Sequence, residues 1–245
     1  MISIIIPTFN EEDFLPHLLG SLKKQTYGDY EVIVSDNHSS DNTRSVALEA
    51  GAMVVDGGSP ACGRNNGARI AHSDWLLFLD ADVVLPPNFL EEAIAEIEKQ
   101  GLSVASCFVL PLSDKKTDKL LHGVANQYLW VTKRFSPHAP GFCIFIKKKL
   151  HQSLNGFDEK IKLAEDHDYV SRAGKVAKFD FLQNVRIPVS VRRLDKDGRL
   201  RVSVKYIAVE AHRAILGPIY SEIFRYKFGY PAKSNIKSKE VTKVI

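Results

Sequence analysis

The chain has 245 residues, 44% of them apolar and 25% charged, with a net charge of +4. That length suits one large α/β domain or two small ones, the composition is that of a globular protein, and no apolar run approaches the roughly 20 residues that span a bilayer. The mild positive charge allows an anionic substrate or membrane surface but lacks the clustering of a nucleic-acid binder, so no nucleic acid is expected as a partner.

The N-terminus enters its first strand at once, without a basic leader, so no secretory signal is expected. Ile2–Ile6 is an apolar strand stopped by Pro7, and Asn10 is positioned to cap a helix whose first turn holds Glu11, Glu12 and Asp13. Phe14, Leu15, Leu18, Leu19 and Leu22 give that helix one buried face. Tyr30–Val34 is a second strand, Asp41 caps a helix ending before Gly51, and Met53–Val55 is a third strand. A short helix over 64–71 precedes the run Trp75-Leu-Leu-Phe-Leu-Asp80-Ala81-Asp82. Its unbroken apolar stretch reads as a strand buried on both faces, delivering two aspartates at its carboxyl end, where open α/β sheets hold ligands. Two carboxylates crowded there suit Mg²⁺ or Mn²⁺, although an Asp-x-Asp also serves simply as a helix cap. Asn88-x-x-Glu91 predicts a capping box for a helix that Gly101 ends.

Further along, Val104–Leu110 is a strand, residues 113–138 are partly helical, Phe142–Ile146 is a strand, and Ala164–Ala173 is a short helix. Residues 185–204 read as a hairpin turning at Asp197-Gly198. Residues 205–230 form one or two amphipathic helices broken at Gly217-Pro218, and 231–245 is a polar, lysine-rich tail expected to be disordered. The alternation of strands and helices predicts an α/β fold with a mostly parallel central sheet flanked by helices, followed by the hairpin and the amphipathic helices. The division expected is a catalytic domain over 1–204 (halves 1–100 and 101–204), an appendage over 205–230, and the tail. Three widely spaced cysteines, Cys62, Cys107 and Cys143, form no zinc or disulfide pattern and fit a cytoplasmic compartment.

Five loops fall on the same rim. Pro7-Thr8-Phe9-Asn10-Glu11 leaves the first strand, and Ser35–Asp41 carries short polar side chains suited to a base or ribose, or to a turn and cap. Arg64, at a helix start, is placed to meet a phosphate or to sit on the surface. Asp80 and Asp82 are the fourth loop. The fifth is Asn155-Gly-Phe-Asp158 with Glu165-Asp166-His167-Asp168, whose acids suit the helix dipole and whose crowding suits a general base.

In order, Ile-Ile-Pro-Thr-Phe-Asn-Glu, Glu-Val-Ile-Val-Ser-Asp-Asn, Arg-Asn-Asn-Gly-Ala, Leu-Asp-Ala-Asp, and Asn-Gly-Phe-Asp with Glu-Asp resemble glycosyltransferase family 2 over about residues 1–175. The resemblance implies the GT-A fold and an inverting, nucleotide-sugar-dependent transferase of the hexosyltransferase type. It implies that Pro7, Thr8, Glu11 and Asp36 line the base and ribose pocket, with Arg64 near the ribose or diphosphate. Asp80 would face ribose and metal, Asp82 would be the principal ligand of Mn²⁺ or Mg²⁺, and Asp166 would be the catalytic base, with Glu165 beside it. Gly141 and Phe142 would shape the acceptor side. His138 or His212 would be a further metal ligand, or structural. His38 stands where the family has a glycine, so that loop is expected to change course if a positive φ is needed.

The partners implied are a UDP- or GDP-sugar donor and a saccharide or lipid-linked acceptor; separately, residues 205–230 read either as a peripheral membrane contact at the cytoplasmic face or as a helix packed on the catalytic domain. Tyr206, Tyr220, Phe224, Tyr226, Phe228 and Tyr230 lie there among Lys205, Arg213, Arg225 and Lys227. Arg192-Arg193 is a candidate phosphate grip or an exposed basic pair. The rival readings are a nucleotide-sugar-binding protein without activity and a sugar nucleotidyltransferase. The latter needs a glycine- and arginine-rich loop where this chain has Pro7–Glu11.

Overall fold

The computed structural model describes residues 1–224. The expectations for Arg225, Tyr226, Lys227, Phe228, Tyr230 and the tail lie outside the described residues. In chain order the elements are β1 (Ile2–Thr8), α1 (Leu15–Leu22), β2 (Tyr30–Asp36), α2 (Thr43–Glu49), β3 (Met53–Asp56), α3 (Pro60–Ile70), β4 (Trp75–Phe78) and α4 (Phe89–Gln100). The second half continues with β5 (Val104–Pro111), α5 (Lys116–Thr132), β6 (Ile144–Lys147), α6 (Lys148–Ser153), α7 (Glu165–Val176), β7 (Phe179–Val189), α8 (Arg192–Asp197) and α9 (Arg199–Leu216).

The strands form one seven-stranded sheet in the order β3-β2-β1-β4-β6-β5-β7. The pairs β1–β2, β1–β4 and β2–β3 are parallel, as the alternating pattern predicts, while β6 runs antiparallel to both β4 and β5. Ile4, Ile5, Ile6, Leu76, Leu77 and Phe78 are fully buried, because helices cover both sheet faces. The carboxyl ends of β1, β2 and β4 therefore open on one rim. Because β6 runs the other way, its amino end lies there too: Ile144 pairs with Phe78, so Gly141 and Phe142 enter beside Leu79 and Asp80.

Four local expectations are corrected. Pro7 does not stop β1, which runs to Thr8. The β1–β4 register ends at Phe78, so a missing N–H beyond it costs no ladder bond. Asn10 does not cap α1: it adopts φ 56° and its side chain accepts from Ser40 N, so the first turn starts four residues later. The Asn88 box does not close, because Glu91 takes the Thr26 hydroxyl at 2.6 Å. The hairpin over 185–204 is absent. β7 ends at Val189, and Asp197-Gly198 joins α8 to α9, a glycine at φ 84° serving a helix junction as readily as a strand turn. The amphipathic helix consequently begins at Arg199 rather than 205, and it ends where expected, at Gly217.

Candidate active site

The rim gathers its charges into two arginine-centred clusters. In the first, Arg64 projects from the amino-terminal part of α3 and is 3% exposed. Its Nη2 donates to Asp80 Oδ1 at 2.8 Å and its Nη1 to Glu165 Oε1 at 2.7 Å. Asp166 lies alongside, accepting the Gly141 N–H through Oδ2. Gly141 is required by this closeness: a Cβ there would run into the Arg64 guanidinium and the Asp166 carboxylate. Burial raises the Glu165 pKa, with the Asp166 charge adding and Arg64 opposing. Desolvation also raises Asp80, against the pull of Arg64, and Asp82 and Asp166 push it further up.

In the second cluster, Arg192 at the start of α8 grips Glu11 with two hydrogen bonds of 2.7 Å and reaches Asp82 Oδ2 at 3.1 Å. The Phe14 ring lies 4.2 Å from its guanidinium carbon. The Ser190 N–H donates to the Asp82 carbonyl at 2.9 Å and Val83 bridges to Val189, so the end of β7 carries Arg192 onto the aspartates. Burial pushes Glu11 up to about 7, helped by Asp82 and Asp80 and opposed by Arg192.

Thr8 and Asp36 are register partners on β1 and β2, both buried, and Thr8 Oγ1 donates to Asp36 Oδ1 at 3.2 Å. His38 takes the positive φ (51°) that a glycine would have supplied, and Asp36 accepts from Ser39. A histidine holds this left-handed backbone at a steric cost. Ala164 is a second strained position, at φ 60° immediately before Glu165 and Asp166.

The expected rim residues Thr8, Glu11, Asp36, Arg64, Asp80, Asp82, Gly141, Glu165 and Asp166 are brought together. Pro7 packs near α3, its Cβ close to Gly63, and Phe142 is buried in the core. His138 and His212 are placed elsewhere. The His138 ring stacks on His167 at 5.1 Å and the His212 ring meets Phe224, and neither touches Asp80 or Asp82 among the described contacts. His138, His167 and Glu210 do bring ligand atoms within 4.8 Å of one another. Arg213 Nη1 already sits among them, 2.8 Å from His167 Nδ1 and 3.0 Å from Glu210, as a built-in cation. Burial works against it, yet the His167 hydrogen bond and the His167 and Arg213 charges hold Glu210 down to about 2.

Two contacts at the rim escape sequence reasoning. Asn65 clasps the Asn155–Asp158 loop, its amide donating to Phe157 O and accepting from Phe157 N, both at 2.9 Å. Arg192 is legible as a candidate phosphate grip or half of an exposed basic pair, but its contact with Glu11, 181 positions away, is not.

The sequence model of "Glycosyl transferase family 2" matches residues 3–154. The chain belongs to glycosyl transferase family 2. A relative in Escherichia coli, UDP-Glc:alpha-D-GlcNAc-diphosphoundecaprenol beta-1,3-glucosyltransferase WfgD, is 34% identical over 109 residues, covering 42% of this chain and 43% of that one. Among solved structures, residues 1–349 of S. aureus TarS in complex with UDP-GlcNAc align with a TM-score of 0.66 at 22% identity, over 78% of this chain and 58% of that one. The mannosyltransferase PcManGT from Pyrobaculum calidifontis, in complex with GDP-Man and Mn²⁺, aligns at 0.62 and 21%, over 76% and 56%. These likenesses establish the GT-A fold. The matched segments span between 20% and 60% of the curated relatives' lengths.

Proposed function

We propose that this family 2 member is an inverting glycosyltransferase moving a sugar from a UDP- or GDP-sugar to a saccharide or lipid-linked acceptor, working at the cytoplasmic face of a membrane. The observation that carries this reading is the convergence of Asp80 and Asp82, at the end of β4, with Asp166 at the start of α7 around one arginine-lined rim. The relatives' printed names support the donor and acceptor classes: a UDP-glucose donor and a diphosphoundecaprenol acceptor for WfgD, and UDP-GlcNAc and GDP-Man bound in the two aligned structures.

Thr8 and Asp36 hold the ribose and base side of the donor. The hard oxygens of Asp82 and Asp80 fit Mn²⁺ or Mg²⁺; burial first, and then the Asp82 and Asp166 charges, raise Asp80, and a cation between the two aspartates would offset those charges. When bound, such a cation neutralises the departing diphosphate. Arg192, paired with Glu11 and Asp82, is the cation of the rim next to those two aspartates. Arg64 holds Asp80 and Glu165 in place. Gly141 N–H fixes one oxygen of Asp166, and the carboxylate takes the proton of the acceptor hydroxyl as it attacks the anomeric carbon from the face opposite the diphosphate. An acceptor that is already anionic, such as a lipid phosphate, makes Asp166 chiefly a positioning group.

The test is release of nucleoside diphosphate from a panel of UDP- and GDP-sugars with Mn²⁺ and a hydroxyl acceptor. Asp166→Asn should lower turnover by about 10²–10⁴-fold with an unchanged circular dichroism spectrum, and Asp82→Asn should also abolish most of it. Wild-type turnover in either variant would sink the assignment. A protein that binds donors but releases no diphosphate is a binding module, and one that makes pyrophosphate from a nucleoside triphosphate is a nucleotidyltransferase.

A further inference from the structure

Helices α5 and α9 each have two apolar faces. On α9, Val202 and Val209 are buried against the protein, while Leu200, Val204, Ile207 and Ile215 recur at helical spacing on the other side and are 56–80% exposed. On α5, Leu129 is buried, while Leu120, Val124 and Val131 fall on one outward face at 56–67% exposure, with Phe135 just beyond at 89%. The helices are fastened side by side and run the same way. Asp118 accepts from Arg199 near their starts, and about three turns further along both helices the Tyr128 hydroxyl donates to Glu210 at 3.0 Å. Two outward apolar stripes on adjacent helices exceed the scattered apolar residues of an ordinary surface.

The rim of these stripes is basic. Arg201 and Lys205 on α9, and Lys116, Lys119 and exposed Arg134 beside the α5 stripe, carry that charge. Glu210 and Asp118 are spent inside, on Arg213 and Arg199. Partial burial and then the Arg193 charge hold the Lys205 pKa below its ordinary value, with Asp197 opposing and Arg201 adding. No helix among the described residues is long and apolar enough to cross a membrane. An apolar stripe edged by cations on a helix that cannot span is the chemistry of a helix lying in a lipid interface.

We propose that the outer face of α5 and α9 docks this protein on an anionic lipid bilayer. The inner face of α9 gives the docking a purpose. Arg213 and Glu210 contact His167, the residue after Asp166, and Lys162 N donates to Ile219 O at 2.8 Å just before α7. The same helix that meets the lipid thus holds the helix bearing the proposed base, which sets that carboxylate beside a lipid-linked acceptor. This deepens the acceptor reading and rests on it for its purpose, but the surface itself is read from α5 and α9 alone.

The experiment is co-sedimentation of the full chain with vesicles of equimolar phosphatidylglycerol and phosphatidylcholine, against phosphatidylcholine alone. Binding is expected only to the anionic vesicles and should weaken in about 0.5 M salt. Replacing Val124, Val204 and Ile207 by serine should reduce it about tenfold or more, and Arg201→Glu should reduce it further. Equal binding to both vesicles, no binding, or undiminished binding by the serine variant overturns the proposal. So does a wild-type dimer that the serine variant splits into monomers without vesicle binding, because the stripes would then be a contact between copies. Diphosphate release measured without vesicles on the same preparations keeps the two readings apart: it should be the same in wild type and variant, and its absence counts against the transferase and not the docking face.

Discussion

The rim at the carboxyl ends of β1, β2 and β4 and the outer face of α5 and α9 invert the usual partition of residues in opposite ways. At the rim, charges are buried: Arg64 is 3% exposed and Glu11 7%. On the helices and just beyond α5, large apolar side chains stand in water: Ile215 is 80% exposed and Phe135 89%. The rim is nearly satisfied from within, since each arginine is claimed by two carboxylates. Among the described residues, the helix face has no such internal partner for its apolar area. Buried charge therefore marks where small polar ligands compete with existing pairs, and bare apolar area marks where an extended partner is awaited.

The contrast makes substitutions at the rim expensive and on the helices cheap. Arg64→Ala strands Glu165, whose side chain is only 10% exposed, beside Asp80, which keeps 38%. Because Asp80 retains water, the loss of stability should lie at the low end for a broken buried pair, about 3 kcal/mol, read from urea unfolding. A loss below about 0.5 kcal/mol would show that the pair is not a structural element. Gly141→Ala should displace Arg64 and Asp166 and lower turnover by about 10²-fold while the protein stays folded. Full activity would mean that the approach at Gly141 is relaxed in solution.

His151, buried beside Phe78 with Nδ1 2.7 Å from the Tyr169 hydroxyl, sits between the extremes. Burial first, then the Arg172 and Lys148 charges, lower its pKa from 6.5 to about 4. Between those values the unfolded chain binds a proton that the native one refuses. The contribution is complete above pH 6.5 and is lost as pH falls toward 4, on the order of 2–3 kcal/mol. Glu11, raised from 4.5 to about 7, has the opposite sign, its stabilisation fading as pH rises through 7. The wild-type minus His151→Asn difference in urea midpoint, followed from pH 7 to 4, isolates the histidine, and a flat difference would refute its buried neutral state. Smallest of all, Val124→Ser or Ile207→Ser should change stability by no more than about 0.5 kcal/mol. A larger loss would mean that those side chains are packed in solution, and the contrast would fail.

The legibility of the sequence follows the same division. β1, β2 and β4 are short apolar runs ending in polar loops, so the rim and most of its residues can be placed from local pattern and family resemblance. Arg192 cannot, because only tertiary structure brings it to Glu11 and Asp82. Nor can the start of α9, where Leu200, Val202 and Val204 alternate as a strand would, because the helix is apolar on both sides. Asp197-Gly198 then supplies a false hairpin turn. His38 marks where a residue-type rule was too strict: a histidine takes the positive φ for which a glycine is the usual choice.

The Arg192–Glu11–Asp82 contact also has a consequence in time. A chain made from its N-terminus exposes Glu11 and Asp82 long before residue 192 emerges from the ribosome, at roughly 5–20 residues per second. For several seconds the first-made loops carry their negative charge without the arginine that later holds them. The last part of the sheet to be synthesised, β7, closes the site that the first part opens. A nascent chain released before that point would keep most of its parallel strands and still lack a finished rim.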